Sequence, residues 1–141
     1  MKKYIDVTPE AGKQFFLDYK DKGKVVMLNL LKFKATADYT NLDSIKPEEA
    51  ISGSEAYKLY AKNAIPLLEK AGSRVLFSGK SNSFLIGPES EKWDAVLLVE
   101  HQSVEHFIGF AQDEAYLKIK GHRTAALEES RLLPVLGGTE V

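Results

Sequence analysis

His122 and Arg123 stand side by side directly after Gly121, and they are the pair in this chain best suited to chemistry. Histidine moves a proton near neutral pH, and a guanidinium clamps a carboxylate or phosphate in two-pronged fashion. Both fall near an expected helix start, where backbone N–H groups also favour anions. His122 is therefore the candidate catalytic acid or base, and Arg123 a candidate ligand clamp. The alternative is structural: Arg123 pairs with a carboxylate and His122 packs or caps, since structural networks perturb such groups as well. Asn29 is the second focus. It interrupts an almost wholly apolar run from Lys24 to Lys34, and an amide in such a place needs hydrogen-bonding partners. It either closes a structural network or offers a donor and an acceptor to a ligand. Lys32 in the same run, Tyr60 on a long helical segment and Trp93, the single tryptophan, complete the candidate ligand-binding set. For each the plainer role is snorkelling, core packing or sheet-end packing.

Other chemistries lack their residues. The chain has no cysteine, so disulfides and thiolate catalysis are excluded. His101, His106 and His122 lack a metal-ligand spacing, and the expectation is of no metal and no cofactor. No glycine-rich phosphate loop, nucleophile elbow or Ser-His-Asp pattern occurs. The 19 basic and 20 acidic side chains leave a net charge of −1, which gives no electrostatic reason to expect nucleic acid or a membrane surface as partner. Asp6 and Thr8-Pro9-Glu10 interrupt what could otherwise begin as a signal peptide. The expected compartment is the cytoplasm.

The elements that must position these residues follow from capping, periodicity and turn signals. Thr8 and Pro9 open a first helix bearing Phe15, Phe16 and Tyr19, with Gly23 to end it. The run 24–34 is the first strand. A polar connection over 35–51 is functional or partly helical. Ser52-Gly53-Ser54-Glu55 is a capping box opening the longest helix, which Gly72 ends. A second strand is expected from Arg74 to Ile86 and a third from Trp93 to His101. Ser103 and Asp113 open further helices. Residues 122–130 are expected to add a helical turn or two before a short last strand, Arg131 to Val135, whose Pro134 marks a sheet edge.

The 141 residues suit one domain: an N-terminal helical extension (1–23), a core (24–136) and a tail (137–141). Helix followed by β-α-β-β-α-β is the ferredoxin-like α+β arrangement, an antiparallel sheet with helices on one face. The strands Val25–Leu28 and Ala95–Val99 are apolar on both faces. A second copy of the sheet is the simplest cover for the face left bare, so the expected assembly is a homodimer, a dimeric α/β barrel.

The segments Val25–Lys34, Gly53–Tyr60, Trp93–Glu100 and His122–Ser130 together resemble the family called domain of unknown function 1330. The resemblance runs from Lys24 to Pro134 and implies the dimeric α/β-barrel superfamily. It implies no particular reaction. Wider members of that superfamily include cofactor-independent monooxygenases, muconolactone isomerases and haem enzymes, and any of these would be a fold analogy. Shorter family members carry an arginine before the glycine of the second strand, where this chain has Ser78.

Three functions fit these observations. One is a small enzyme without bound cofactor, acting by proton transfer or monooxygenation on a small organic molecule. A second is a dimer that binds a small acidic or aromatic molecule without changing it, and a third is a purely structural dimer with a dry, packed barrel. The first two need a cavity on which Asn29, His122 and Arg123 converge; the last forbids one.

Overall fold

In the computed structural model, which describes residues 2–138, local capping sets the start of most helices. Thr8 Oγ1 accepts the Ala11 N–H and Pro9 fills the first position of helix α1, Pro9–Tyr19. The helix stops at Tyr19 because Lys20 turns extended, and Gly23 (φ +80°) lies beyond it in the linker rather than capping it. Strand β1, Val25–Phe33, follows. Helix α2, Gly53–Lys70, opens on a complete capping box: Ser52 Oγ accepts the Glu55 N–H, and Glu55 Oε1 accepts the Ser52 N–H, each at 3.0 Å. Ser52→Ala should cost about 1 kcal/mol, read as a lower urea midpoint; an unchanged midpoint would mean that tertiary packing alone fixes this end. The connection between β1 and α2 contains turns and no helix. It buries Tyr39 against Ala56, Ala125 and Ala126, with Leu42, Ile45 and Ile51 packed around it.

Strand β2 covers Arg74–Lys80 and strand β3 Ala95–His101. The expected run to Ile86 is thus too long. Beyond Lys80 the chain leaves the strand, and the two arms of the connection are joined by the Ser81 N–H to Asp94 O and Trp93 N–H to Asn82 O bonds and by the bridge Ser83↔Lys92. β3 also starts later than Trp93, because the Asp94 carboxylate, not a backbone carbonyl, accepts the Phe33 N–H at 2.7 Å. Helix α3, Val104–Gln112, and helix α4, Glu114–Ile119, are capped by Ser103 and Asp113 as expected. Helix α5 is Gly121–Ala126, and strand β4 is Leu127–Leu136. Residues 127–130, expected as helix, are therefore strand. Pairing with Lys32 and Phe33 of β1 wins over the helix-forming tendency of Leu-Glu-Glu. Of the expected tail, residues 139–141 lie outside the described residues.

The sheet is antiparallel with order β2-β3-β1-β4, which is the ferredoxin-like topology, with β1 central and β4 at an edge. A bulge at Leu76 interrupts β2, the other edge. Alongside β4, Tyr4 O accepts both the backbone N–H and the hydroxyl of Ser130, at 2.9 and 2.7 Å. The two sheet faces differ. Val25, Met27 and Leu31 are buried under the helices, and Asn29 and Phe33 share their side by strand alternation. Leu68 of α2 and Phe110 of α3 pack there on Val99, and Phe15 of α1 meets Phe107 edge-on at 5.5 Å. The opposite face carries Val26, Leu28 and Leu30 in register with Glu100, Leu98 and Val96 on one side and with Val135, Leu133 and Arg131 on the other. No described helix packs over it, and Phe77, Leu133 and Val135 are exposed there. No described helix is long and apolar enough to cross a membrane.

Candidate functional site

Asn29 lies at the midpoint of the central strand on the helix-covered face. Its Nδ2 donates to Met27 O and Leu97 O, both at 3.3 Å, and its Oδ1 takes no hydrogen bond from a described residue. The side chain is only half-buried. Lys32 is on the other, open face, opposite Glu129. A single strand thus sends its two polar side chains to different sides, as the alternation around Met27 and Leu31 requires. A cavity enclosed between two sheets would receive Lys32 but not Asn29.

The helix layer contributes an array of phenols. Tyr60 and Tyr116 share a hydrogen bond of 2.8 Å between their hydroxyls. Tyr57 contacts the Tyr60 ring at 5.2 Å and the Phe33 ring at 5.4 Å. Burial pushes the Tyr57 hydroxyl up to about 12, with the Arg123 charge pulling the other way. Burial raises Tyr60 well above the usual tyrosine range as well, with the neighbouring Tyr116 and Tyr57 adding to the effect. These phenols are neutral donors and acceptors at physiological pH, suited to hold an oxygen but not to act as bases. Arg123 is close enough to be felt by both Tyr57 and Tyr60. Its Nη1 donates to Ile5 O at 2.7 Å and stands 3.9 Å from the exposed Asp6 carboxylate. That anchor holds the guanidinium in place and uses only part of its donor capacity.

His122, next to Arg123, is turned toward the connection between β1 and α2. Its Nδ1 lies 2.7 Å from the Tyr39 hydroxyl, and the two rings meet nearly perpendicular. Burial lowers the His122 pKa and raises that of Tyr39, so both are neutral near pH 7. If Tyr39 donates, Nε2 carries the ring proton and Nδ1 is shielded. Trp93 is buried, and its ring lies 5.1 Å from the Arg131 guanidinium, which also stands over Tyr4 at 5.0 Å. The Trp93 Nε1 is buried without a partner.

Arg123 and Tyr60 are thus electrostatic neighbours, while Asn29, Lys32, Trp93 and His122 each engage a different set of residues. No described hydrogen bond or ion pair joins Asn29 to His122 or Arg123. Two clefts, of about 530 and 470 Å³, open on the helical side. The first lies between α2, α3 and α4, the second beside Leu42, Ile45 and Gly121, and none of the six candidate residues lines either. Tyr116 and Tyr39 are the hydrogen-bond partners of Tyr60 and His122 that sequence reasoning missed. They lie 56 and 83 positions from Tyr60 and His122, so no local spacing signals them. Among the described residues, no group of three or more His, Asp or Glu side chains could hold a metal ion.

The fold and the single helix-covered face define a ferredoxin-like α+β protein. The family described as Domain of unknown function (DUF1330) matches residues 47–136, and the chain belongs to it. The crystal structure of a protein of unknown function from Rhodopseudomonas palustris is similar over 99% of this chain and 100% of its own, at 33% identity and a TM-score of 0.84. The methylated form of that protein matches over the same extents at 33% identity and a TM-score of 0.85. A dimeric protein of unknown function with a ferredoxin-like fold, from Bacteroides fragilis, matches 84% of this chain and 99% of its own, at 15% identity and a TM-score of 0.48. No curated protein matches significantly.

Proposed function

We propose that this protein is a homodimer, paired through the open sheet face, that binds a small organic molecule between the helix-covered face and the helices. The ligand would be acidic or aromatic, with one or two oxygens. Asn29 would meet one oxygen, Tyr60 and Arg123 another, and Trp93 would border the site, whereas Lys32, on the open face, would lie at the dimer interface instead. The observation that carries this reading is the Asn29 amide. A purely structural amide is normally satisfied at both ends, whereas here Nδ2 makes two long bonds and Oδ1 takes none from a described residue. Buried neutral phenols and an anchored guanidinium on the same side of the sheet supply complementary donors.

A thermal-shift series with small carboxylates and aromatics tests it, because a specific ligand raises apparent stability. At least one such compound should raise the melting temperature of the native protein, and Asn29→Ala should abolish that rise with little loss of stability. If Asn29→Ala instead loses about 2 kcal/mol or more, as a buried structural amide would, the ligand role fails. The catalytic form of the reading assigns proton transfer to His122, supported by its neutral, Tyr39-oriented imidazole. His122→Ala would then keep ligand affinity and lose turnover. The dimer is tested by sedimentation at micromolar concentration, where a stable 15.7 kDa species would rule it out.

A further inference from the structure

We propose that the connection between β2 and β3, residues 81–94, is an arm that grips a second copy of this chain, and that Leu85 and Ile86 at its tip are the gripping residues. The inference rests on the dimer proposed above and adds to it a part of the chain outside the sheet. Leu85 is 100% exposed and Ile86 92%, in a segment that is well built rather than loose. The backbone N–H groups of Ser81 and Trp93 bond to Asp94 O and Asn82 O, each at 3.0 Å. The Glu91 N–H bonds to Pro88 O, and Ser83 pairs with Lys92. Phe84 folds back so tightly on Gly87 that a Cβ there would come within 2.8 Å of its ring. The arm therefore holds two large aliphatic side chains in water at a fixed place, where their burial against a partner would be favourable.

The surroundings select the occupant. The arm springs from Lys80 and Ala95, at the end of the two strands that carry the open face. Phe77, 58% exposed on that face, lies with its ring 3.1 Å from where a Gly79 Cβ would sit. Exposed apolar surface on the open face thus reaches Phe77, three residues before the arm leaves the strand at Lys80. Two faces related by a two-fold axis place identical patches in reciprocal contact, so each arm would project onto its partner. Charge argues against a membrane as the occupant. Glu89, Glu91 and Asp94 outnumber Lys80 and Lys92 along the arm, whereas surface-binding segments carry an excess of basic residues beside their apolar tip.

The experiment compares the native protein, the double variant Leu85→Asp/Ile86→Asp and the sheet-face variant Leu133→Asp by sedimentation across a concentration series. Leu85 and Ile86 touch little within the protomer, so the double variant should keep its circular dichroism and fold. It should weaken dimerisation at least about 100-fold, the loss of some 2.7 kcal/mol. A native protein that is monomeric throughout defeats the dimer reading and this proposal together. A native dimer that Leu133→Asp dissociates and the double variant does not would overturn the arm alone. Retained dimer affinity, with binding of the native protein but not the double variant to vesicles of phosphatidylcholine and phosphatidylserine, would assign the tip to a lipid surface and likewise overturn it.

Discussion

Replacing Gly53 with alanine should unfold the junction on which the helix layer hangs. Gly53 N–H donates to Lys34 O at 3.0 Å, and Lys34 N–H donates to Ala126 O at 2.9 Å. The end of β1, the start of α2 and the end of α5 therefore meet at one point. A Cβ on residue 53 would sit 2.3 Å from Lys34 O, 2.6 Å from Ala126 O and 2.7 Å from Lys34 N. All three are backbone atoms fixed by those hydrogen bonds, so no side chain can swing aside. The helix propensity gained by alanine, up to ~1 kcal/mol, is small beside an overpacking cost of about 3 kcal/mol or more. At a urea slope of roughly 2 kcal/mol/M, the midpoint should fall by at least about 1 M at matched protein concentration. A midpoint within about 0.3 M of the native value would mean that the junction opens readily. His122 and Arg123 lie on α5, so the same variant should also disturb any ligand effect that depends on them.

Acid should destabilise the native protein through a buried imidazole. His101 is 2% exposed, with Nδ1 2.7 Å from Ser73 Oγ and with Phe107 and Phe110 beside its ring. Burial, together with the nearby His106, lowers its pKa to about 4. An unfolded histidine titrates near 6.5, so below that pH the unfolded chain takes up the proton first. Stability is full above about pH 6.5 and is lost progressively as pH falls to about 4, by on the order of 3 kcal/mol. His101→Gln keeps a hydrogen-bonding group for Ser73 and cannot titrate. It should be less stable at pH 7 but lose markedly less between pH 6.5 and 4, since the carboxylates titrate alike in both proteins. Parallel pH profiles for the two would exclude His101 as the source.

Signals confined to a few neighbouring residues were legible in advance. Thr8-Pro9, the Ser52–Glu55 box, Ser103 and Asp113 start helices where they stand. The alternation of Met27, Asn29 and Leu31 puts the three on one face by strand period alone, but that this is the face under the helices is decided by the fold. Features decided by distant partners were not legible. Leu127–Ser130 became strand through pairing with β1, and β2 ended at Lys80 because the arm makes its own hydrogen bonds. Gly53 reads locally as one residue of a capping box; its lack of a side chain answers to Lys34 and Ala126. The candidate site divides in the same way. Its polar residues could be named from type and setting, whereas the Tyr60–Tyr116 and Tyr39–His122 contacts depend on the folded helix layer.

The two rims of the sheet bear on how copies of this protein can add to one another. Along β4, residues 130, 132 and 134 turn their backbone outward. The Ser130 N–H is already taken by Tyr4 O, Pro134 has none to give, and only Leu132 is left with a donor at these positions. On the far rim the bulge at Leu76 breaks the spacing that another strand would need. Natural sheets blunt their edges in these ways against runaway edge-to-edge growth. A sheet so finished offers a poor template for a further strand at either rim, so copies are steered to meet face to face instead of edge to edge.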